Sequence, residues 1–106
     1  MSEELRLLDL AAAWYQAGEA VALATVIAAW GSAPRPVGSM MAMSDRLHLA
    51  GSVSGGCVEN AVIDAAREVM RTGIPRCLSF DVTDQSAFAV GLPCGGALRV
   101  LVERLG

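Results

Sequence analysis

From Ala20 to Trp30 the chain runs through eleven residues without a charge, and Thr25 is the one hydroxyl among them. A run of this length falls well short of the roughly 18 apolar residues that cross a bilayer as a helix. Its valines, isoleucine and small alanines suit a β-strand, and the absence of any polar alternation predicts one covered on both faces. The strand stops at Gly31, and whatever surrounds it must supply apolar layers above and below. In 106 residues that means one core and one domain.

Two helices are available to provide those layers. Leu5, Leu8, Ala12 and Tyr15 recur at helical spacing as an apolar stripe, Ser2 or an early acid can cap the start, and Gly18 closes the stretch, predicting a helix near 3–17. Val58, Val62, Ala65, Ala66 and Val69 lie on one helical face, with Thr72, Gly73 and Pro75 as a stop, predicting a second helix over about 57–71.

Residues 39–43 and 47–53 read as short strands about a tight turn at Ser44, Asp45 and Arg46, although that turn lacks the glycine hairpins favour. His48 falls on the second of these strands. Residues 76–81 and 97–103 read as two further strands, with a single helical turn over 83–88 between them, and Cys77 reads as a core residue. The order predicts an α/β chain of the α+β kind, a mixed β-sheet packed with two main helices.

Hydrophobic residues make up 54% of the chain and charged ones 18%, a balance that favours folding and leaves more apolar surface than one small core hides. A face for self-association or for another chain is the expected outlet. The eight basic residues are all arginine and are outnumbered by eleven acids, for a net charge of −3, so nucleic acid is an unsuitable partner. The start, Met-Ser-Glu-Glu, has neither the basic region nor the cleavage site of a secretory signal, so the expected location is the cytoplasm, without membrane insertion. Three cysteines, Cys57, Cys77 and Cys94, favour free thiols over a disulfide framework.

Three glycine-framed segments carry the chemistry. In Gly51-Ser52-Val53-Ser54-Gly55-Gly56-Cys57-Val58-Glu59 a strand passes through glycines into a helix. The first turn of a helix offers N–H groups and partial positive charge to an anion, and the same field favours the Cys57 thiolate. The plainer reading makes Ser54 an N-cap and Cys57 a buried residue. Glu59 suits the helix dipole, and it or Asp81 could serve as acid or base beside a thiol.

The second segment, Gly91-Leu92-Pro93-Cys94-Gly95-Gly96, leaves a sulfur accessible between glycines, or forms a bulge leading into the last strand. The third, Pro34-Arg35-Pro36, stiffens the backbone around a guanidinium that can pair with phosphate or carboxylate, or can simply face solvent. A zinc site from His48 and the cysteines lacks the usual close spacing, and Ser52 or Ser54 lacks the surroundings of a hydrolase nucleophile.

In order, Gly31-Ser32-Ala33-Pro34-Arg35 with Gly38 and Met40, then Gly51 through Glu59, then Gly91-Leu92 and Cys94-Gly95-Gly96 resemble the N-terminal domain of the XdhC/CoxI family, over about residues 20–104. These are accessory proteins for molybdenum hydroxylases such as xanthine dehydrogenase and carbon monoxide dehydrogenase.

The resemblance implies a maturation factor without turnover of its own. Such a protein binds molybdenum cofactor (molybdopterin) transiently, works with a cysteine desulfurase that installs a terminal sulfur, and delivers the cofactor to the apo molybdenum hydroxylase. The cofactor-binding set it implies is Ser32, Pro34, Arg35, Ser54, Gly55, Gly56, Cys57, Glu59, Cys94, Gly95 and Gly96, with Cys57 and Cys94 as candidate thiols or molybdenum contacts.

Many members continue into a C-terminal Rossmann-like domain, whereas this sequence stops at Gly106. A homo-oligomer or a separate Rossmann-domain partner is then expected to complete the cleft. Two other readings remain open at the level of sequence. One is a thiol-dependent sulfur-transfer or redox enzyme using Cys57 and Cys94; the other is a phosphate- or nucleotide-binding module.

Overall fold

The uncharged run is the middle strand of a five-stranded sheet. The computed structural model describes residues 3–31, 33, 35–55, 58–81 and 96–106. Its elements are α1 (Glu3–Gln16), β1 (Val21–Trp30), β2 (Met40–Ser44), β3 (Leu49–Gly51), α2 (Glu59–Thr72), β4 (Arg76–Asp81) and β5 (Ala97–Arg104). The strands lie in the order β3-β2-β1-β5-β4. The helical turn expected over 83–88 lies outside the described residues.

Two helices on a sheet are as the sequence implies, but all four strand pairings are antiparallel rather than mixed. The crossover does exist: β3 and β4, joined through α2, run in the same direction. They stand at opposite edges with three strands between them, so no parallel pair forms.

Alternation along the strands sends side chains to two separate cores. Ala22, Ala24 and Val26 of β1, Met41 and Met43 of β2, Phe80 of β4 and Leu98, Val100 and Val102 of β5 pack with Val62, Ala66 and Val69 of α2. On the other face Val21, Leu23 and Ala42 pack with Leu7 and Ala11 of α1, joined by Trp14. The stripe of Leu5, Leu8, Ala12 and Tyr15 is exposed. Leu7, Ala11 and Trp14 have the same helical spacing, and the small Ala11 at their centre lets the backbone of α1 approach the sheet.

Burial of β1 on both faces holds for Val21–Ala24 and fails beyond, where Ile27 and Trp30 are exposed. Among the described residues α1 lies over β1, β2 and β3, and no other helix covers the far half of that face. The register of β1 on β5 also slips between Val26 and Ala28. Cys77 is exposed rather than in the core, because Leu78 and Phe80 are the β4 residues that face α2.

The turn between β2 and β3 manages without glycine. Leu47 adopts φ 67°, and the Ser44 hydroxyl accepts the N–H groups of Arg46 and His48, each at 3.2 Å. His48 therefore sits in the turn, ahead of the strand. Its Nδ1 lies 2.8 Å from the buried Glu19 carboxylate and its ring stacks on Trp14 at 5.4 Å. A hydrogen bond from Ser44, opposed by burial and assisted by His48 and Arg46, holds the Glu19 carboxyl below its ordinary range. α2 ends as expected at Gly73, whose N–H reaches the Val69 carbonyl at 2.8 Å. Among the described residues no helix is long and apolar enough to cross a membrane.

Candidate functional site

Antiparallel order gathers the described parts of the glycine-framed segments at one end of the sheet. β1 finishes there and β2 and β5 begin there, since Thr25 pairs with Met40 and Trp30 with Ala97. The loop after β1 turns back tightly: Ser39 N–H donates to the Pro36 carbonyl at 3.1 Å, and Gly38 N–H to Val26 at 2.8 Å. Gly31 sits at φ 62°, and a Cβ there would stand 3.4 Å from the Gly96 Cα. The backbones of the first and last segments therefore touch. The middle segment joins the same end through Ser52 N–H, which donates to the Met40 carbonyl at 3.0 Å.

Of the expected site residues, Arg35, Ser54, Gly55, Glu59 and Gly96 are described, and Ser32, Pro34, Gly56, Cys57, Cys94 and Gly95 lie outside the described residues. Arg35 is half-buried, with its Nε shut off from solvent. The guanidinium is thus set into the loop instead of projecting freely from it.

The middle segment is organised around a carboxylate. Glu59, in the first turn of α2, reaches back so that its Oε2 accepts the Ser52 hydroxyl at 2.7 Å, Ser54 N–H at 3.0 Å and Val53 N–H at 3.1 Å. Its Oε1 accepts the Ser54 hydroxyl. Ser52 Oγ in turn accepts Gly55 N–H at 2.7 Å, and Ser54 Oγ accepts Val58 N–H at 2.9 Å. Burial by itself would raise the Glu59 pKa, but the hydrogen bonds from Ser52, Ser54 and the two amides outweigh it and bring the value to about 2.

The amides of Val53, Ser54, Gly55 and Val58 are already bonded within the chain, so the cradle formed by this loop holds the protein's own carboxylate. Ser54 is 1% exposed and helps join loop to helix, while the N-cap position itself is Val58, without a side-chain cap. Glu59 does more than complement the helix dipole, since it fixes the shape of the loop before it. Ser52, which sequence reasoning left out of the site, is as central as Ser54. The signal was present as two serines shortly ahead of an acid at a helix start.

The opposite end of the sheet carries a cavity of about 440 Å³ lined by Met43, Leu47, Arg67 and Met70 among others, and it contains none of these residues. Among the described residues, no three His, Cys, Asp or Glu side chains gather as a metal would need.

Comparison with known proteins adds sequence and structural kinship. The model of the XdhC and CoxI family matches residues 14–81. The chain is 32% identical to the molybdenum cofactor insertion chaperone PaoD of Escherichia coli (strain K12) over 99 residues, 93% of this chain and 31% of that protein. It is also 32% identical to the uncharacterized protein YqeB of the same organism over 82 residues, 77% of this chain and 15% of that one. A crystal structure described as a xanthine dehydrogenase from Bacillus halodurans superposes with a TM-score of 0.77 at 28% identity, covering 100% of this chain and 31% of the other. The chain thus spans under a third of the length of these relatives.

Proposed function

The chain belongs to the XdhC and CoxI family, and from that premise we propose that it assists the maturation of a molybdenum hydroxylase. In this reading it holds molybdenum cofactor transiently, a cysteine desulfurase supplies the terminal sulfur, and the apo-enzyme receives the product. The observation that carries the reading is the meeting, at one end of the sheet, of the described parts of the three glycine-framed segments, where the backbones of Gly31 and Gly96 touch. A convergence of small residues leaves room for a large, flat ligand to approach the main chain.

The described residues fit part of such a ligand. Molybdopterin ends in a phosphate, and the Arg35 guanidinium is a donor of the right kind at the right end. The amides of 53–55 and 58 are not, because Glu59, Ser52 and Ser54 occupy them. Glu59 serves instead to hold the loop that leads to Gly56 and Cys57. Cys57 and Cys94 are the groups suited to molybdenum or to the incoming sulfur.

The test is a titration of the purified chain with molybdenum cofactor, followed by co-elution and by fluorescence of the released, oxidised pterin. Wild type is expected to bind stoichiometrically, Arg35→Ala about tenfold or more weakly through loss of a charge-assisted pair, and Cys57→Ala and Cys94→Ala weakly as well. A folded wild type that binds no cofactor overturns the proposal.

A further inference from the structure

At the end of the sheet away from the glycine-framed segments, a cavity of about 440 Å³ opens between the second half of α2 and the turn that joins β2 to β3. Its floor is Met43 and Met70, both buried in the α2 core, with Ala20 beside them. Asp45 and Leu47 line it from the turn, and Arg67 and Arg71 from the helix. The volume lies within the range of small-molecule sites, roughly 300–1,000 Å³.

Leu47 does little there for the fold itself. A leucine at φ 67° holds a backbone that costs free energy, and its side chain is exposed, so packing within the chain offers little in return. What that side chain does is form one wall of the cavity. Local strain of this kind collects at ligand clamps.

The two arginines are not explained by the helix they sit on. Arg67 and Arg71 stand one turn apart on α2, where like charges repel. Three carbonyls near the end of the helix have other partners: Glu68 accepts the Thr72 hydroxyl at 3.0 Å, Val69 the Gly73 N–H at 2.8 Å and Met70 the Arg104 guanidinium at 3.4 Å. Arg71 pairs with Glu68 at 2.6 Å, whereas Arg67 has no ion pair among the described residues. On the opposite wall the Asp45 carboxylate is committed to the backbone. It accepts Ala20 N–H at 3.2 Å, while Asp45 N–H donates to the Ala20 carbonyl at 2.9 Å.

An apolar floor, a leucine wall and two guanidinium groups against one committed carboxylate select an anion with an apolar body. We propose that this cavity binds a small amphipathic carboxylate, its body on Met43, Met70 and Leu47 and its head on Arg67, on the helix side and away from Asp45. Methionine suits such a floor, since its flexible thioether adapts to bodies of different shape. The planar guanidinium matches a carboxylate through two parallel hydrogen bonds. This site stands apart from the proposed cofactor site and does not rest on the reading of it.

The probe is octanoate, titrated into the whole chain while the methionine methyl resonances are followed by NMR, with octanol and acetate as controls. Octanoate is expected to half-saturate the site below about 1 mM, shifting Met43 and Met70 and leaving Met40, on the α1 side of β2, in place. Octanol should bind about tenfold more weakly and acetate should shift neither resonance. Arg67→Ala should weaken octanoate about tenfold and leave octanol unchanged. Leu47→Asn should weaken both about fivefold while raising the melting temperature, a pairing that a purely structural leucine would not give. A wild type whose Met43 and Met70 resonances stay in place at about 10 mM octanoate overturns the proposal. So does octanol bound as tightly as octanoate, or an octanoate affinity that Arg67→Ala leaves unchanged.

Discussion

Ser52 donates its hydroxyl to Glu59 at 2.7 Å, and the oxygen of the same hydroxyl accepts the N–H of Gly55, so one side chain ties the helix start to the far side of the glycine loop. The hydrogen bonds from Ser52, Ser54 and the two amides favour the ionised carboxylate. That links the geometry of the candidate site to proton concentration.

Glu59 has a folded pKa of about 2 against an ordinary 4.5. The unfolded chain therefore takes up this proton first as pH falls. The contribution is complete above pH 4.5 and is lost as pH drops towards 2. Allowing for the partial exposure of the carboxylate, about 1–2 kcal/mol is at stake. Urea titrations of wild type and Glu59→Gln at pH 6 and pH 3 check this: wild type should lose more stability than the variant, by somewhat over half of that amount. Parallel losses in the two proteins would sink the assignment.

Ser54→Ala removes the acceptor of Val58 N–H and a donor to Glu59 at a fully buried position, and should cost about 2–3 kcal/mol. Ser52→Ala lies nearer solvent and should cost about 1 kcal/mol. Because both act through one carboxylate, each should lose much of its effect in a Glu59→Ala background. Additive losses in the double variants would argue against a shared network.

Gly51 and Gly55 have similar backbones, φ 75° and 70°, but different surroundings. A Cβ on Gly51 would clash with the Leu7 side chain and the Met40 carbonyl oxygen, whereas a Cβ on Gly55 meets nothing within 4 Å. Gly51→Ala is expected to destabilise by more than about 3 kcal/mol, and Gly55→Ala by about 1 kcal/mol from backbone strain alone. Thermal melts that rank the two in the opposite order would contradict the packing of α1 on β3.

Leu47 holds a left-handed backbone at φ 67° with its side chain 63% exposed. Asparagine adopts that conformation more easily, and little apolar contact is given up. Leu47→Asn should therefore stabilise the chain by about 0.5–1 kcal/mol, raising the melting temperature by a few degrees. A fall in melting temperature would mean that Leu47 packs more than its exposure suggests.

The extent to which the fold was legible in the sequence depended on periodicity. The uncharged run fixed β1 as a strand, and Val62, Ala66 and Val69 repeat so regularly that α2 could be placed to within two residues. α1 carried two stripes of equal spacing, and nothing local distinguishes Leu7-Ala11-Trp14 from Leu5-Leu8-Ala12-Tyr15. The choice is made by how closely Ala11 lets the helix approach β2, a tertiary matter.

Cys77 failed for a different reason. In Arg76-Cys77-Leu78-Ser79-Phe80 the alternation sets Leu78 and Phe80 on one face and Cys77 and Ser79 on the other, a parity that weighing Cys77 by residue type alone passes over. For the candidate site, glycines and Arg35 stood out by residue type, but the Ser52-Glu59-Ser54 knot did not. Serine is common, and only the turn of the chain after β3 brings those hydroxyls to the acid.

The middle of the sheet pairs Val26 with Val100, residues from opposite ends of the sequence. A chain emerging from the ribosome makes β1 well before β5, so the hydrophobic run must wait, unpaired on one side, until β5 has been made. Such long-range closure is slow and leaves an aggregation-prone intermediate in the meantime. It also means that Gly31 cannot meet Gly96 in any partly made chain. The candidate site comes together only once β5 has paired with β1.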